Sequence, residues 1–234
     1  MSNIVRITHV RKTAPVYNLQ VSPGETYFAN KVAVHNCSTW WVNGKYRAHG
    51  KEWMARELAL LWGMGVRHLC FNDDCLTADR EAALDLCDAL EGYGFAWFGT
   101  TRVDCLDLEL AQRMKAVGCY ELSFGIESGS PAILKRMNKK TDLAAAFAAR
   151  TACRAAGIKF TALMIHDFPG QTAETAREDA AFRRELQPDE WGSLGHTAVL
   201  PGTALYQQCK RAGLIDDDFW LGTDDWYVYH GGLK

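Results

Sequence analysis

The chain has no run of about eighteen apolar residues, so nothing in it reads as a bilayer-spanning helix. It also has no charged-then-apolar leader at its start, and with no span and no leader the sequence predicts a cytoplasmic protein without a membrane partner. Its formal charge is only −2, and no basic patch stands out, which excludes the counterion-release mode of holding nucleic acid. None of the eight cysteines forms a CxxC pair, and Cys70-x4-Cys75 is a poor zinc spacing. In a reducing compartment these thiols are expected to be free, and most of them to serve as small apolar core residues. There is no lysine-centred or multi-histidine constellation of the kind an aldolase or a metallohydrolase needs. What is present is 48% hydrophobic and 23% charged residues over 234 positions, enough for one core and its solvated surface.

The pattern changes at Cys37. Before it the chain is strand-like: Ile4 to Val10 is rich in β-formers, Val16 to Val21 alternates, and Ser22-Pro-Gly24 turns into Thr26-Tyr-Phe-Ala29. After it, amphipathic helices alternate with short apolar strands. Helices are expected at 51–64, 79–90, 106–116, 131–137, 142–156, 172–186 and 203–212. Strands are expected at 66–71, 95–98, 119–124, 158–165 and near 193–200. Parallel strands need such crossovers, so the fold class is α/β with a parallel sheet. A loop and a helix come first after Cys37, which leaves this half short of an initial strand. Three segments follow: 1–36 all-β, 37–215 α/β, and an irregular cap at 216–234.

His35-Asn36-Cys37 places three chemistries side by side. An asparagine amide can attack its own carbonyl and cleave the next peptide bond, a histidine can protonate the leaving amine, and a cysteine thiolate can accept an acyl group. A bare tripeptide of this kind also occurs in ordinary loops. With Val16-Tyr-Asn-Leu-Gln-Val21, Thr26-Tyr-Phe-Ala-Asn30 and Val32-Ala-Val34 in front of it, the segment resembles the C-terminal motifs of inteins over residues 1–37. Glu25 stands where a histidine is common in that family, and Asn18 where an acidic residue is. The resemblance implies that Cys37 is the acceptor in transesterification, Asn36 the cyclising residue and His35 its helper. The opening methionine and the short length suggest a split intein whose N-terminal half is a separate partner chain; a contiguous intein cut short would look the same.

Beyond the junction, polar residues follow the strands, where ligand sites of α/β folds collect. Asp73 and Asp74 could equally cap a helix, Glu127 could cap the helix near Pro131, and Gly125 to Ser130 could be an ordinary turn. Taken in order, Phe71-Asn-Asp-Asp-Cys-Leu-Thr77, Arg102-Val-Asp104, Gly125-Ile-Glu-Ser-Gly129, Lys135-Arg-Met-Asn-Lys139, Asp167-Phe-Pro-Gly-Gln171 and Leu200-Pro-Gly-Thr-Ala-Leu-Tyr206 resemble the radical S-adenosylmethionine (SAM) superfamily over residues 37–216. The likeness is to the branch that includes cobalamin-linked and methylthiotransferase-like proteins. It implies a partial (β/α)6 barrel lacking its first strand, and it makes Cys37 the third cysteine of a CxxxCxxC loop holding a 4Fe-4S cluster.

The other two cysteines would lie on the partner half, and a flavodoxin- or ferredoxin-type reductant would supply the electron that cleaves SAM to a 5′-deoxyadenosyl radical. By motif position Asp73 and Asp74 would hold the methionine amino group, Arg102 the carboxylate, and Glu127 with Ser128 the methionine or ribose. Ile165 and His166 would lie near adenine, with His166-Asp167 standing where the family more often has a glycine. Cobalamin enters as a further cofactor through the likeness alone. The precursor is expected to be silent before splicing. The competing readings are an unrelated α/β-barrel lyase or hydrolase, and a non-catalytic fragment that binds a partner.

Overall fold

The computed structural model describes residues 48–219 together with Tyr229, Gly231 and Leu233. The chain divides into two units, Met1–Ala33 and Val34–Lys234, and the first lies wholly outside the described residues. Within the second, the strands are β1 (His68–Phe71), β2 (Ala96–Thr101), β3 (Cys119–Glu127), β4 (Lys159–His166) and β5 (Glu190–His196). The helices are α1 (Lys51–Gly63), α2 (Arg80–Leu90), α3 (Leu108–Ala116), α4 (Pro131–Arg136), α5 (Leu143–Ala156), α6 (Ala173–Leu186) and α7 (Ala204–Arg211), with a 3-10 turn at Val103–Cys105.

The helices start where short polar side chains satisfy their first N–H groups. Asp79 accepts from Ala82 at 3.0 Å, Asp107 from Leu110 at 2.8 Å and Asp142 from Ala145 at 2.8 Å. Thr172 and Thr175 form a reciprocal capping pair at the start of α6. The residue that caps α2 is thus Asp79, six positions after Asp73. The helix at Pro131 begins from Ser130, without any bond to Glu127. Asp73 and Asp74 therefore do not cap α2, and Glu127 does not cap α4.

All five strands are parallel and lie in the order β1-β2-β3-β4-β5. Each crossover advances by one strand in the same direction. With right-handed connections this keeps the helices on one face, the arrangement of a barrel wall as opposed to a doubly wound sheet. The buried layer between sheet and helices is aromatic. Phe124 stacks on Phe160 at 4.4 Å, while Trp97 meets Phe71 edge-on at 5.2 Å and donates from Nε1 to the Val117 carbonyl at 2.9 Å. On the outside, Asp88 joins α2 to α1 and α3 through Lys51 and Arg113.

Three expected strands differ by three residues at an end from the observed ones, and the first of them, β2, runs on to Thr101. β3 runs on through Glu127, because Ile126 is buried and pairing with β4 resumes at Glu127↔Met164 after a register shift. β5 begins at Glu190, before the expected start near 193. Its start is fixed by Asp189, whose N–H donates to the Phe160 carbonyl at 3.0 Å and whose carboxylate accepts from the Phe160 N–H at 2.8 Å. Past β5, the Thr197 carbonyl accepts from Tyr229 at 2.8 Å, and Tyr229 packs with Val199, Tyr206, Cys209 and Ile215. This small second core is what the described part of the segment after Asp216 covers.

Candidate functional site

Because the strands are parallel, their C-terminal ends share one rim, which carries Asp73, Asp74 and Arg102 just past β1 and β2 and Glu127, Ile165 and His166 in the last positions of β3 and β4. Register shifts break the ladder at Gly125/Glu127 and at Met164/His166, at the rim end of β3 and β4. Such bulges re-aim side chains beside sites.

Glu127 is the most constrained of these residues. Its backbone has φ +75°, a left-handed conformation that non-glycine residues adopt at a cost. Its side chain is 8% exposed, and Oε1 accepts from Lys139 Nζ at 2.8 Å, itself 11% exposed. Oε2 is buried with no hydrogen-bond partner among the described residues. An orphaned buried carboxylate oxygen is costly unless a ligand completes it. Gly125 makes room for the pair: a Cβ there would lie 2.7 Å from Oε1 and 3.4 Å from the Lys139 ammonium. Lys139 was not singled out from the sequence, although it ends one of the quoted motifs, because nothing local ties it to Glu127.

After β1, Asp73 meets solvent with part of its surface yet is crowded by protein. Burial pushes its carboxyl above the usual carboxylate range, Asp74 adds to the effect and His49 opposes it. After β2, the Arg102 guanidinium forks onto Asp104 at 2.9 and 2.6 Å. The fork holds Asp104 below the usual range and occupies two of the five N–H donors of Arg102. At the end of β4, Ile165 is half-buried and His166 exposed. Asp167 has φ +59° and meets His196 Nδ1 at 2.5 Å. The left-handed conformation of Asp167 is one that glycine adopts at no steric cost.

Ser128 is engaged within the protein. It is 1% exposed and donates to Asp179 of α6 at 2.8 Å, accepting in turn from the Ser130 N–H at 3.0 Å. The Gly129 N–H also donates to Asp179, and Ser130 to Glu178. The turn that follows Glu127 is therefore bolted to α6, and Ser128 is a fastening of that turn.

His35, Asn36 and Cys37 lie outside the described residues. Among the described residues no group of three or more side chains could hold a metal ion, and the seven described cysteines are free. The donors on the rim suit a small polar organic ligand: two carboxylates for a cation, an ammonium and a guanidinium for an anion, and one buried oxygen awaiting a hydrogen bond.

A sequence profile of the Radical SAM superfamily matches residues 35–182. The chain belongs to the radical SAM superfamily. Among curated relatives, an uncharacterized methyltransferase of Pyrococcus horikoshii is 29% identical over 183 residues, covering 76% of this chain and 40% of that protein. The cytidylyl-2-hydroxyethylphosphonate methyltransferase of Streptomyces wedmorensis is 24% identical over 228 residues, covering 92% of this chain and 43% of that protein. The chain thus spans about two fifths of the length of these relatives.

Among solved structures, the radical SAM methyltransferase TsrM of Kitasatospora setae, with cobalamin and a 4Fe-4S cluster bound, superposes with a TM-score of 0.63 at 16% identity. That match covers 73% of this chain and 35% of TsrM. The cobalamin-dependent SAM radical enzyme OxsB, with aqua-cobalamin bound, gives 0.55 at 19% identity over 59% of this chain and 23% of its own. These likenesses carry the fold, a partial radical SAM barrel. Among the described residues no helix is long and apolar enough to cross a membrane.

Proposed function

We propose that the chain forms the SAM-binding wall of a radical SAM methyltransferase-like enzyme, with SAM seated across the strand ends between Asp73, Asp74, Glu127 and Lys139. The observation that carries this reading is the orphaned Oε2 of Glu127, held at the rim by a strained backbone and a buried lysine. Oε2 accepts a hydrogen bond from a ribose hydroxyl or the methionine ammonium. Lys139 donates one proton to Glu127 and has others for a carboxylate. Asp73 and Asp74 neutralise the ammonium, and the donors of Arg102 left by Asp104 face the carboxylate. Ile165 offers an apolar surface to adenine beside His166.

When bound, a 4Fe-4S cluster and a small reductant of the flavodoxin or ferredoxin type supply the electron that cleaves the sulfonium. The chain's own residues orient SAM and limit its contact with water. The methyltransferase names of both curated relatives, and cobalamin in TsrM and OxsB, support cobalamin-linked methyl transfer, with cobalamin held by parts of the enzyme outside this chain.

The titration of Asp73 gives this site a stability signature. Its folded value lies above its unfolded one, so the fold loses stability as pH rises from the ordinary carboxylate range through the folded value. Asp73→Asn removes that loss. In denaturant titrations the variant is expected to exceed the wild type at about pH 7 and to match it at about pH 3, while binding SAM about tenfold more weakly. A variant less stable at both values would contradict the assignment.

The proposal extends to the junction. Cys37 first accepts the migrating acyl group and afterwards ligates iron, with the other two cysteines on the N-terminal partner, so the unspliced chain is silent. The family match that begins at residue 35 favours this boundary. A second reading, that residues 1–36 stay with the enzyme, is favoured by the Streptomyces alignment, whose 92% coverage necessarily takes in part of that segment. Co-expression with the upstream reading frame and intact-mass measurement decides between them. Splicing predicts loss of residues 1–36, a block by Asn36→Ala, and a SAM-responsive paramagnetic centre only in the ligated product. Such a centre in an unspliced Asn36→Ala complex would defeat the splicing reading and leave the SAM site standing.

A further inference from the structure

The left-handed backbone of Glu127, φ +75°, is a conformation that a non-glycine residue keeps only where the chain on both sides is held. On the N-terminal side the sheet holds it, through the pairing of Gly125 with Leu163 and of Glu127 with Met164 in β4. On the C-terminal side the ladder has ended, and α6 takes over. One carboxylate oxygen, Asp179 Oδ1, accepts both from Ser128 Oγ at 2.8 Å and from the Gly129 N–H, while Ser128 Oγ accepts from the Ser130 N–H at 3.0 Å. Phe182 lies three residues further on, so it shares that face of the helix. It closes over Gly129, where a Cβ would lie 2.4 Å from the Phe182 Cβ. Phe182 is itself 5% exposed and meets Phe147 of α5 edge-on at 5.7 Å, so the surface that receives the turn is part of the core.

We propose that Asp179 is a positioning residue for SAM, which fixes the peptides after Glu127 and with them the direction of the Glu127 carboxylate. The inference rests on the reading of Glu127 as a SAM contact, and it adds a residue that acts only through Glu127. A hydrogen bond weakens steeply as its angle closes, so a carboxylate that swings on a loosened backbone loses its ligand while the fold survives. What the turn takes from Asp179 is one acceptor oxygen. Asparagine supplies that oxygen and alanine does not. Glu178, the neighbouring acid, accepts from Ser130 Oγ and has no bond to Ser128 or Gly129, which makes Ser130→Ala a control that weakens the same turn beyond the critical peptides.

The test uses the full chain in three measurements: calorimetric titration of SAM, urea unfolding, and the backbone Cα and Cβ chemical shifts of Glu127 without ligand. Asp179→Ala should bind SAM about tenfold or more weakly, whereas Asp179→Asn and Ser130→Ala should stay within about twofold of the wild type. The Glu127 shifts should move in Asp179→Ala and hold in the other two variants. Unchanged shifts in Asp179→Ala overturn the proposal. So does a loss of affinity that follows the urea midpoint alike in all three variants, because the role would then be structural only. Glu127→Gln separates this from the site itself: if it binds SAM as the wild type does, the SAM reading falls, while the Glu127 shifts still decide whether Asp179 holds that residue.

Discussion

Replacing Lys139 by alanine is expected to destabilise the barrel by about 3 to 5 kcal/mol, an effect out of proportion to one lysine on most proteins. The reason is the setting. Lys139 and Glu127 are 11% and 8% exposed and 2.8 Å apart, and the remaining Glu127 oxygen has no partner among the described residues. Removing the ammonium leaves a carboxylate with neither a charge partner nor full access to water. The double variant Lys139→Met, Glu127→Gln should recover most of the loss, because a neutral amide beside an apolar chain has no buried charge to compensate. It should still fail to bind SAM. Urea unfolding of the single and double variants checks the first part, and calorimetric titration of SAM the second. Recovery of stability together with recovery of binding would mean that the pair is structural only.

The second large effect concerns the layer that holds the rim in place. Trp97→Ala is expected to cost about 4 kcal/mol, in the range for emptying a large buried aromatic site. Trp97 is fully buried, meets Phe71 edge-on, and satisfies the Val117 carbonyl through Nε1. Trp97→Phe keeps most of the volume but leaves that carbonyl without its donor, at about 1 to 3 kcal/mol. The two variants should therefore rank in that order by denaturant midpoint. Since Phe71 precedes Asn72-Asp73-Asp74, the alanine variant should also loosen the loop after β1, visible as faster amide exchange at residues 72–77.

Much of this architecture is legible in the sequence because its signals are local. Asp107 and Asp142 stand just ahead of apolar periodic runs and start helices there. Val66 to Phe71 and Ile158 to Ile165 are rich in apolar residues and become strands, the first trimmed to His68–Phe71 and the second shifted by one residue to Lys159–His166. β5 is not legible, because Glu190-Trp-Gly-Ser-Leu-Gly-His196 has neither alternation nor an apolar run and its position depends on Asp189 gripping Phe160 across 29 residues. Among the candidate site residues, Glu127 is legible from the motif around it. Lys139 could not, since a helix separates the two and only the fold joins them. Ser128 shows the converse: a motif position directs attention to the neighbourhood, while Asp179, 51 residues away, takes its hydroxyl. Arg102 is legible as a rim residue, but its fork onto Asp104 is a matter of side-chain geometry.

On the proposed reading, SAM sits at the strand ends on the Glu127 carboxylate. Amide hydrogen exchange of the full chain with and without millimolar SAM, in the wild type and in Glu127→Gln, tests it most directly. The account predicts slowed exchange confined to residues 72–77, 125–130 and 165–168 in the wild type, and little change in the variant. Equal protection in both proteins, or protection only away from these three loops, would contradict it.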